Sequence, residues 1–166
     1  TGGIRCLVRP ADDACGLEAL SERLSLASGD LTDPASLRAL CQDAEGATLF
    51  HVAGLIHPRL WTRDFERINV EGTRALLAAA QEARVKRIVI VSSNSPLGCN
   101  PPSIPGHVFD ESSPYNPYMG YGRSKARMEA LVHEVQARGK LETVLIRPPW
   151  FYGPHQPPRQ TLFFTM

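Results

Sequence analysis

Long apolar runs are absent from this chain of 166 residues. None approaches the roughly 18 to 20 residues that a membrane-spanning helix requires, and the opening TGGIRCLVRP lacks the profile of a secretory signal. No membrane partner is expected, and the cytoplasm is the expected compartment. Charge of one sign is lacking too. The 18 Lys and Arg and the 17 Asp and Glu are mixed along the whole chain, which leaves no basic stripe for nucleic acid. The four cysteines, Cys6, Cys15, Cys41 and Cys99, include no CxxC pair and have no histidine at metal-ligand spacing. They read as reduced thiols, and no metal is expected. What is present is an ordinary globular composition, 43% hydrophobic and 21% charged, enough for one domain with a real core and a small-molecule partner.

Strand-like and helix-like stretches alternate, which predicts crossover units and a parallel sheet. IRCLV (residues 4–8) is the first short apolar strand. RLSLA is a weaker second one, ending at Gly29, Asp30 and Leu31. Thr32, Asp33 and Pro34 supply a helix start, since a short acceptor before a first-turn proline satisfies free amides, and the helix PASLRALCQDA follows. ATLFHVAG (47–54) is an apolar run that closes on small residues, as a buried parallel strand does beside a ligand. A helix is predicted from about Trp61 to Ala83, with Val70, Leu76, Leu77 and Ala80 as its buried stripe. RIVIVSS (87–93) is the strongest strand, β-branched at every position from Ile88 to Val91. Residues 94–117 then form a proline-rich loop whose length suggests a function. A helix from Tyr118 to about Arg138 and the strand TVLIR complete the pattern, stopped by Pro148 and Pro149.

In an open parallel sheet, ligands bind beyond the carboxyl ends of the strands. Those ends are Arg9 and Pro10, Asp30 and Leu31, Ala53 and Gly54, Ser92 and Ser93, and Arg147 through Trp150. Tyr121 and Lys125 are four apart on a predicted helix, hence on one face. An ammonium beside a phenol favours the phenolate and pulls its pKa of about 10 toward the working pH. A phenol so tuned exchanges a proton with an alcohol while hydride leaves carbon, and a hydroxyl such as that of Ser93 holds the same oxygen. Four tyrosines and three lysines give this spacing by chance in about 5 to 10% of such chains, so its weight comes from following a long loop and a strand that ends in two serines. Tyr115 and Tyr118 have Met119 and Gly122 at the fourth position, Tyr152 has Gln156, and all three are set aside as packing residues.

The segments VSSNSPLG, YGRSK, HVAG, NVEGT and RPPWFYGP, in this order and at these intervals, together resemble the extended short-chain dehydrogenase/reductases, the NAD-dependent epimerase/dehydratase group. The likeness covers nearly the whole chain, and its steroid (3β-hydroxysteroid dehydrogenase-like) and flavonoid branches are the nearest in character. It implies an α/β, doubly wound, Rossmann-type parallel sheet. By that resemblance the catalytic serine, five residues before Gly98, is Ser93, with Ser92 the alternate. The acid/base and its lysine map to Tyr121 and Lys125, the lysine also holding the nicotinamide ribose. Asp30 and Leu31 flank the adenine, Ala53 and Gly54 lie along the dinucleotide, and the backbone after Pro148 meets the nicotinamide. Asp30 equally suits a turn or cap, and Asn69 reads as a structural hydrogen bonder inside its helix.

Where an NAD-selective member carries an acid, this chain has Arg9. An arginine suits a 2′-phosphate, which tilts the expected NAD(P) cofactor toward NADP, and it suits a solvated loop equally well. Asn94, Trp150 and Arg159 are candidate substrate contacts. The family opens with a strand and a GxxGxxG loop that cradles the pyrophosphate, and only TGG resembles that loop here. The first strand, central to this fold, is therefore expected to be missing, with Gly3 and Ile4 not adjacent in the intact molecule and a tail beyond Met166 absent. Residues 1–150 are assigned to the NAD(P)-binding domain and 151–166 to the beginning of a substrate-binding region. The expected activity is hydride transfer to or from a secondary alcohol or ketone. A nucleotide-sugar epimerase using the same groups is the alternative, and a non-catalytic cofactor-binding protein is a third. Dehydration is disfavoured because Asn94 and Ser95 stand where the dehydratases carry an acidic pair. A homodimer is left open.

Overall fold

In the computed structural model of the chain, residues 3–10, 12, 16–17, 22–56, 63–100, 103–104, 106–149 and 153 are described. Five short strands form: β1 Ile4–Val8, β2 Leu24–Ser28, β3 Thr48–His51, β4 Arg87–Val91 and β5 Glu142–Ile146. Every pairing is parallel, with Val8 opposite Ser28, His51 opposite Ile90 and Ile90 opposite Leu145. Such pairing requires crossovers, and helices supply them: α1 Pro34–Cys41, α2 Arg63–Phe65, which runs through a π-helical segment Glu66–Gly72 into α3 Thr73–Glu82, and α4 Met119–Ala137. This is the expected parallel α/β architecture of the Rossmann type.

The ladder falls into two ribbons, β1–β2 and β3–β4–β5. Among the described residues β1 and β3 do not pair with each other. One core nonetheless spans both ribbons. Leu31, Leu37 and Cys41 pack with Leu76, Leu77, Ala80, Ile88, Ile90, Met128 and Val132, and Leu7 of β1 rests against them. Each such aliphatic side chain contributes about 1.5–3 kcal/mol of burial. The predicted stripe of the middle helix is buried at all four positions.

Local chemistry explains the element ends. Asp33 caps α1, accepting from the amides of Ala35 (3.0 Å) and Ser36 (3.3 Å), with Pro34 in the first turn. The guanidinium of Arg5 reaches from β1 to the far end of α1 and donates to the carbonyls of Leu40 (3.0 Å) and Gln42 (2.8 Å). A cation thus meets the carbonyls that a helix end leaves unpaired. The helices are shorter than predicted at their ends, α1 stopping at Cys41, and β3 stops at His51, three residues short of Gly54. The π-helical segment is a departure from the even helix expected over 61–83. Among the described residues no helix is long and apolar enough to cross a membrane, and no group of His, Cys, Asp and Glu is arranged to hold a metal.

Candidate active site

The site grows from the carboxyl end of β4. Beyond the strand, the Ser92 amide donates to the Ile146 carbonyl (2.7 Å) and the Asn94 amide to that of Pro148 (3.2 Å). The chains leaving β4 and β5 therefore emerge side by side. A 3₁₀ turn at Ser95–Leu97 follows and ends at Gly98, whose φ of 85° lies in the left-handed region. A Cβ at Gly98 would also lie 2.4 Å from the carbonyl oxygen of Asn116, so only glycine permits this crossing. There the Asn116 amide donates to Pro96 (3.0 Å), closing the long loop at its neck. Helix α4 then starts and lays Gly122 on the turn, where a Cβ would sit 2.9 Å from the carbonyl oxygen of Ser95. This close approach brings Tyr121 next to Ser93.

Ser93 is half-buried, its hydroxyl 3.0 Å from that of Ser95 and accepting from the Ser95 amide (3.2 Å). Tyr121 is half-buried, with the Phe65 ring 6.0 Å away and tilted by 53°. Burial pushes the Tyr121 phenol above its ordinary pKa, and the Ser93 hydroxyl opposes that rise. This corrects the expectation that the lysine would draw the phenol down. The cause is geometric: Lys125 is buried one turn further on and gives its Nζ proton to the carbonyl of Val91 (3.1 Å), with Met128 Sδ at 3.8 Å. It is the lysine that shifts strongly, lowered to about 8 by burial while the charge of Glu129 works in the opposite direction.

Gly54 closes the floor beyond β3. A Cβ there would lie 3.2 Å from Asn69 Oδ1 and 3.5 Å from Lys125 Nζ. Asn69 is the structural hydrogen bonder expected. It donates to Leu55 O (2.9 Å) and Ser124 Oγ (3.0 Å) and accepts from Leu55 N (2.8 Å). Ser124 in turn donates to the carbonyl of Tyr121 (2.8 Å). Below them His51 Nε2 lies 2.8 Å from Thr73 Oγ1, which donates to Asn69 O (2.7 Å). The hydroxyl proton is committed there, so Nε2 carries the proton toward Thr73. Burial, with Lys125 nearby, lowers the imidazole to about 3, and it is neutral at physiological pH.

Two residues outside the sequence-derived set matter here. Glu129 is fully buried and takes hydrogen bonds from Ser92 Oγ, from Tyr115 OH (2.6 Å) and from Arg147 (2.7 and 3.0 Å to Oε2). Tyr115, set aside as packing, is instead a bonded anchor: the Arg147 guanidinium carbon lies 5.4 Å from its ring centroid, and burial with Glu129 pushes its phenol up to about 12. Glu129 carries a readable signal, because it falls at the fourth position after Lys125 and so shares the helix face of the pair. Ser92, the alternate to Ser93, is nearly buried and committed to this carboxylate.

The remaining candidates divide. Ala53 and Gly54 are exposed at the strand end, and Pro148 and Asn94 stand beside Ser93 through their shared hydrogen bond. The side chain of Leu31 is buried under Gly72, where a Cβ would lie 2.7 Å from Leu31 Cγ, so anything it offers a ligand comes from its backbone. Asp30 Oδ1 accepts from the amide and hydroxyl of Thr32 (both 2.7 Å), a turn role that keeps its carboxyl below the usual range. Arg9 is held by Asp12 through two contacts of 2.7 and 2.8 Å on the surface. Trp150 and Arg159 lie outside the described residues.

Known proteins share this frame. An uncharacterised protein of Sinorhizobium fredii is 51% identical over 98% of this chain and 45% of its own length. The 4-hydroxy-2-methyl-3-oxo-4-farnesyl-3,4-dihydroquinoline-1-oxide ketoreductase of Stigmatella aurantiaca is 35% identical over 90% of this chain and 43% of its own. Among solved structures, the DesIV dTDP-glucose 4,6-dehydratase double mutant of Streptomyces venezuelae, with NAD and DAU bound, superposes with a TM-score of 0.83 at 28% identity, over 98% of this chain and 52% of that one. The chain thus spans about half the length of the relatives it matches. Residues 3–165 match the NAD dependent epimerase/dehydratase family, and with its parallel strands, Ser93 just beyond β4 and Tyr121 and Lys125 on α4, the chain belongs to that family.

Proposed function

We propose that this chain supplies the cofactor-side part of an NAD(P)-dependent oxidoreductase that moves a hydride to or from a secondary alcohol or ketone. The observation that carries the proposal is the gathering of Ser93, Tyr121 and Lys125 at the carboxyl end of β4. A nicotinamide dinucleotide, when bound, supplies or accepts the hydride. The chain's residues suit it: Gly54 leaves the floor without a side chain, and Lys125 holds its ammonium beside that floor. Lys125 would meet the ribose, Ala53, Gly54 and the Pro148 backbone would line the dinucleotide, and Asp30 and Leu31 would edge the adenine. In this division residues 1–150 bind cofactor and 151–166 open the substrate region, with Asn94, Trp150 and Arg159 toward substrate.

Ser93 holds the substrate oxygen, and Tyr121 moves the proton at that oxygen. A phenol kept above its ordinary pKa by burial is protonated at neutral pH, which suits it to give a proton to a forming alkoxide. The same group takes that proton back in the reverse oxidation, so one site serves both directions, with a bulky secondary alcohol, as in the steroid branch, on the reduced side. The ketoreductase relative supports the same class. Either dinucleotide is admitted, because Arg9 already faces Asp12 and a 2′-phosphate would have to displace that carboxylate.

A nucleotide-sugar epimerase is the second reading, supported by the likeness to the sugar-nucleotide enzyme DesIV. The full-length protein should be screened with NADH and NADPH against ketones and UDP-sugars, beside Tyr121→Phe. Stoichiometric oxidation of added cofactor with a ketone is expected, falling about 10²–10⁴-fold in the variant. Activity that survives the substitution within about tenfold refutes the acid/base role. Tightly held NAD that is not consumed in turnover selects the epimerase.

A further inference from the structure

Glu129 is the most fully enclosed charge near the site, and its contacts join parts of the chain distant in sequence. Ser92 tethers the end of β4, Arg147 the end of β5, and Tyr115 the last turn of the long loop, all on one carboxylate. Arg147 approaches through both Nε (3.0 Å) and Nη2 (2.7 Å) and also donates to Tyr115 OH (2.9 Å). A carboxylate with no exposure persists as an anion only when charge and hydrogen bonds compensate its desolvation, and here three donors do so. The same carboxylate stands four residues after Lys125, one turn along the same helix face.

We infer that Glu129 is a positioning residue of the site: it locks the two strand ends and the loop anchor Tyr115 to α4, and it stands one turn along the same helix as the counter-charge to the buried Lys125. The role given to Lys125 rests on the cofactor-binding reading above; the charge coupling does not. The groups acting on Lys125 are few. His51 faces it from β3 and is neutral, the Val91 carbonyl accepts its proton, Tyr121 precedes it on α4, and Arg147 shares Glu129 from the β5 side. Among the described residues Glu129 is therefore the anion set against the burial that drives the lysine proton off. Its removal should lower the midpoint of Lys125, whereas a residue that only packs would leave it in place.

The test is a titration of ¹³Cε-labelled lysine by NMR in the full-length protein, Lys125 being assigned through Lys125→Met. Glu129→Gln is expected to lower the Lys125 midpoint by about one pH unit or more, and Glu129→Asp by less. Glu129→Asp also decides the matter if Glu129→Gln does not fold. NADH titrated by fluorescence should lose about tenfold in affinity over the same pH interval in Glu129→Gln, at lower pH than the parent. A Lys125 midpoint unmoved in a folded Glu129 variant overturns the inference, as does an NADH affinity reduced equally at every pH. If NADH binds to no variant at any pH, the assignment of Lys125 to the ribose fails, while the lysine titration still decides the coupling.

Discussion

Adding one methyl group at Gly122 tests how closely α4 must sit on the serine turn. In a helix interior Gly→Ala ordinarily stabilises by about 0.5–1 kcal/mol, because glycine has more freedom to lose. Here the new Cβ would stand 2.9 Å from the Ser95 carbonyl oxygen, 3.4 Å from its carbon and 3.5 Å from Ser95 Cβ. The first contact falls short of an ordinary carbon–oxygen approach, and the obstacle is backbone that cannot rotate away. Overpacking of this kind costs about 1–3 kcal/mol. The balance is a net loss of about 0–2.5 kcal/mol, taken up by a shift of α4 away from the turn. That shift separates Tyr121 from Ser93, and small misplacements in a reacting pair cost up to about 10²-fold per ångström. Urea unfolding at constant m-value should therefore show Gly122→Ala less stable than the parent, with ketone-reduction kcat down about tenfold. A variant stabilised by the full helix-propensity gain, with unchanged kcat, would refute the close contact and the positioning argument built on it.

Three further outcomes are expected. Asn69→Ala leaves the half-buried amide and carbonyl of Leu55 and the buried hydroxyl of Ser124 without their partner and should cost about 1–3 kcal/mol in urea unfolding; a loss under about 0.5 kcal/mol would show that water replaces the side chain. His51, lowered to about 3 in the fold from 6.5, keeps its full contribution above pH 6.5 and loses it as pH falls toward 3, because the unfolded chain takes up a proton that the fold refuses. Stability measured from pH 7 to 4 should fall more gently in His51→Gln, by up to about 1.4 kcal/mol per pH unit, and parallel curves would exclude His51 as a source of acid sensitivity. Asp12→Asn frees Arg9 from its carboxylate and should tighten NADPH binding relative to NADH severalfold in fluorescence titrations; an unchanged ratio would place Arg9 away from the 2′-position.

Much of the frame was legible because it depends on local order. The apolar runs at residues 4–8, 48–51 and 87–91 and the buried stripe of Val70, Leu76, Leu77 and Ala80 follow from side-chain periodicity, and Asp33 with Pro34 marks a helix start by its own chemistry. What stayed hidden depends on tertiary placement. Spacing puts Tyr121 and Lys125 on one face, but only the fold decides that the ammonium turns to Val91 and that burial outweighs its pull on the phenol. Tyr115 was judged by its neighbour four residues on, and its true partners are 14 and 32 residues away. The resemblance sets Leu31 beside the adenine, but that its side chain turns inward over Gly72 depends on the absence of a Cβ there, which no local pattern announces.

The π-helical stretch Glu66–Gly72 carries a consequence for the phenol. Its rings close one residue later than those of an α-helix, which offsets the helical frame before it from the frame after it. Phe65 ahead of the offset reaches the ring of Tyr121, while Leu76 and Leu77 beyond it stay in the core. Winding the same residues at even α pitch would rotate one half against the other by about 100°, whereas deleting one residue of 66–72 would absorb the offset and leave the two faces in place. Without the offset Phe65 would leave the tyrosine ring, so the pitch of an earlier helix helps set the burial, and with it the proton affinity, of a phenol on α4.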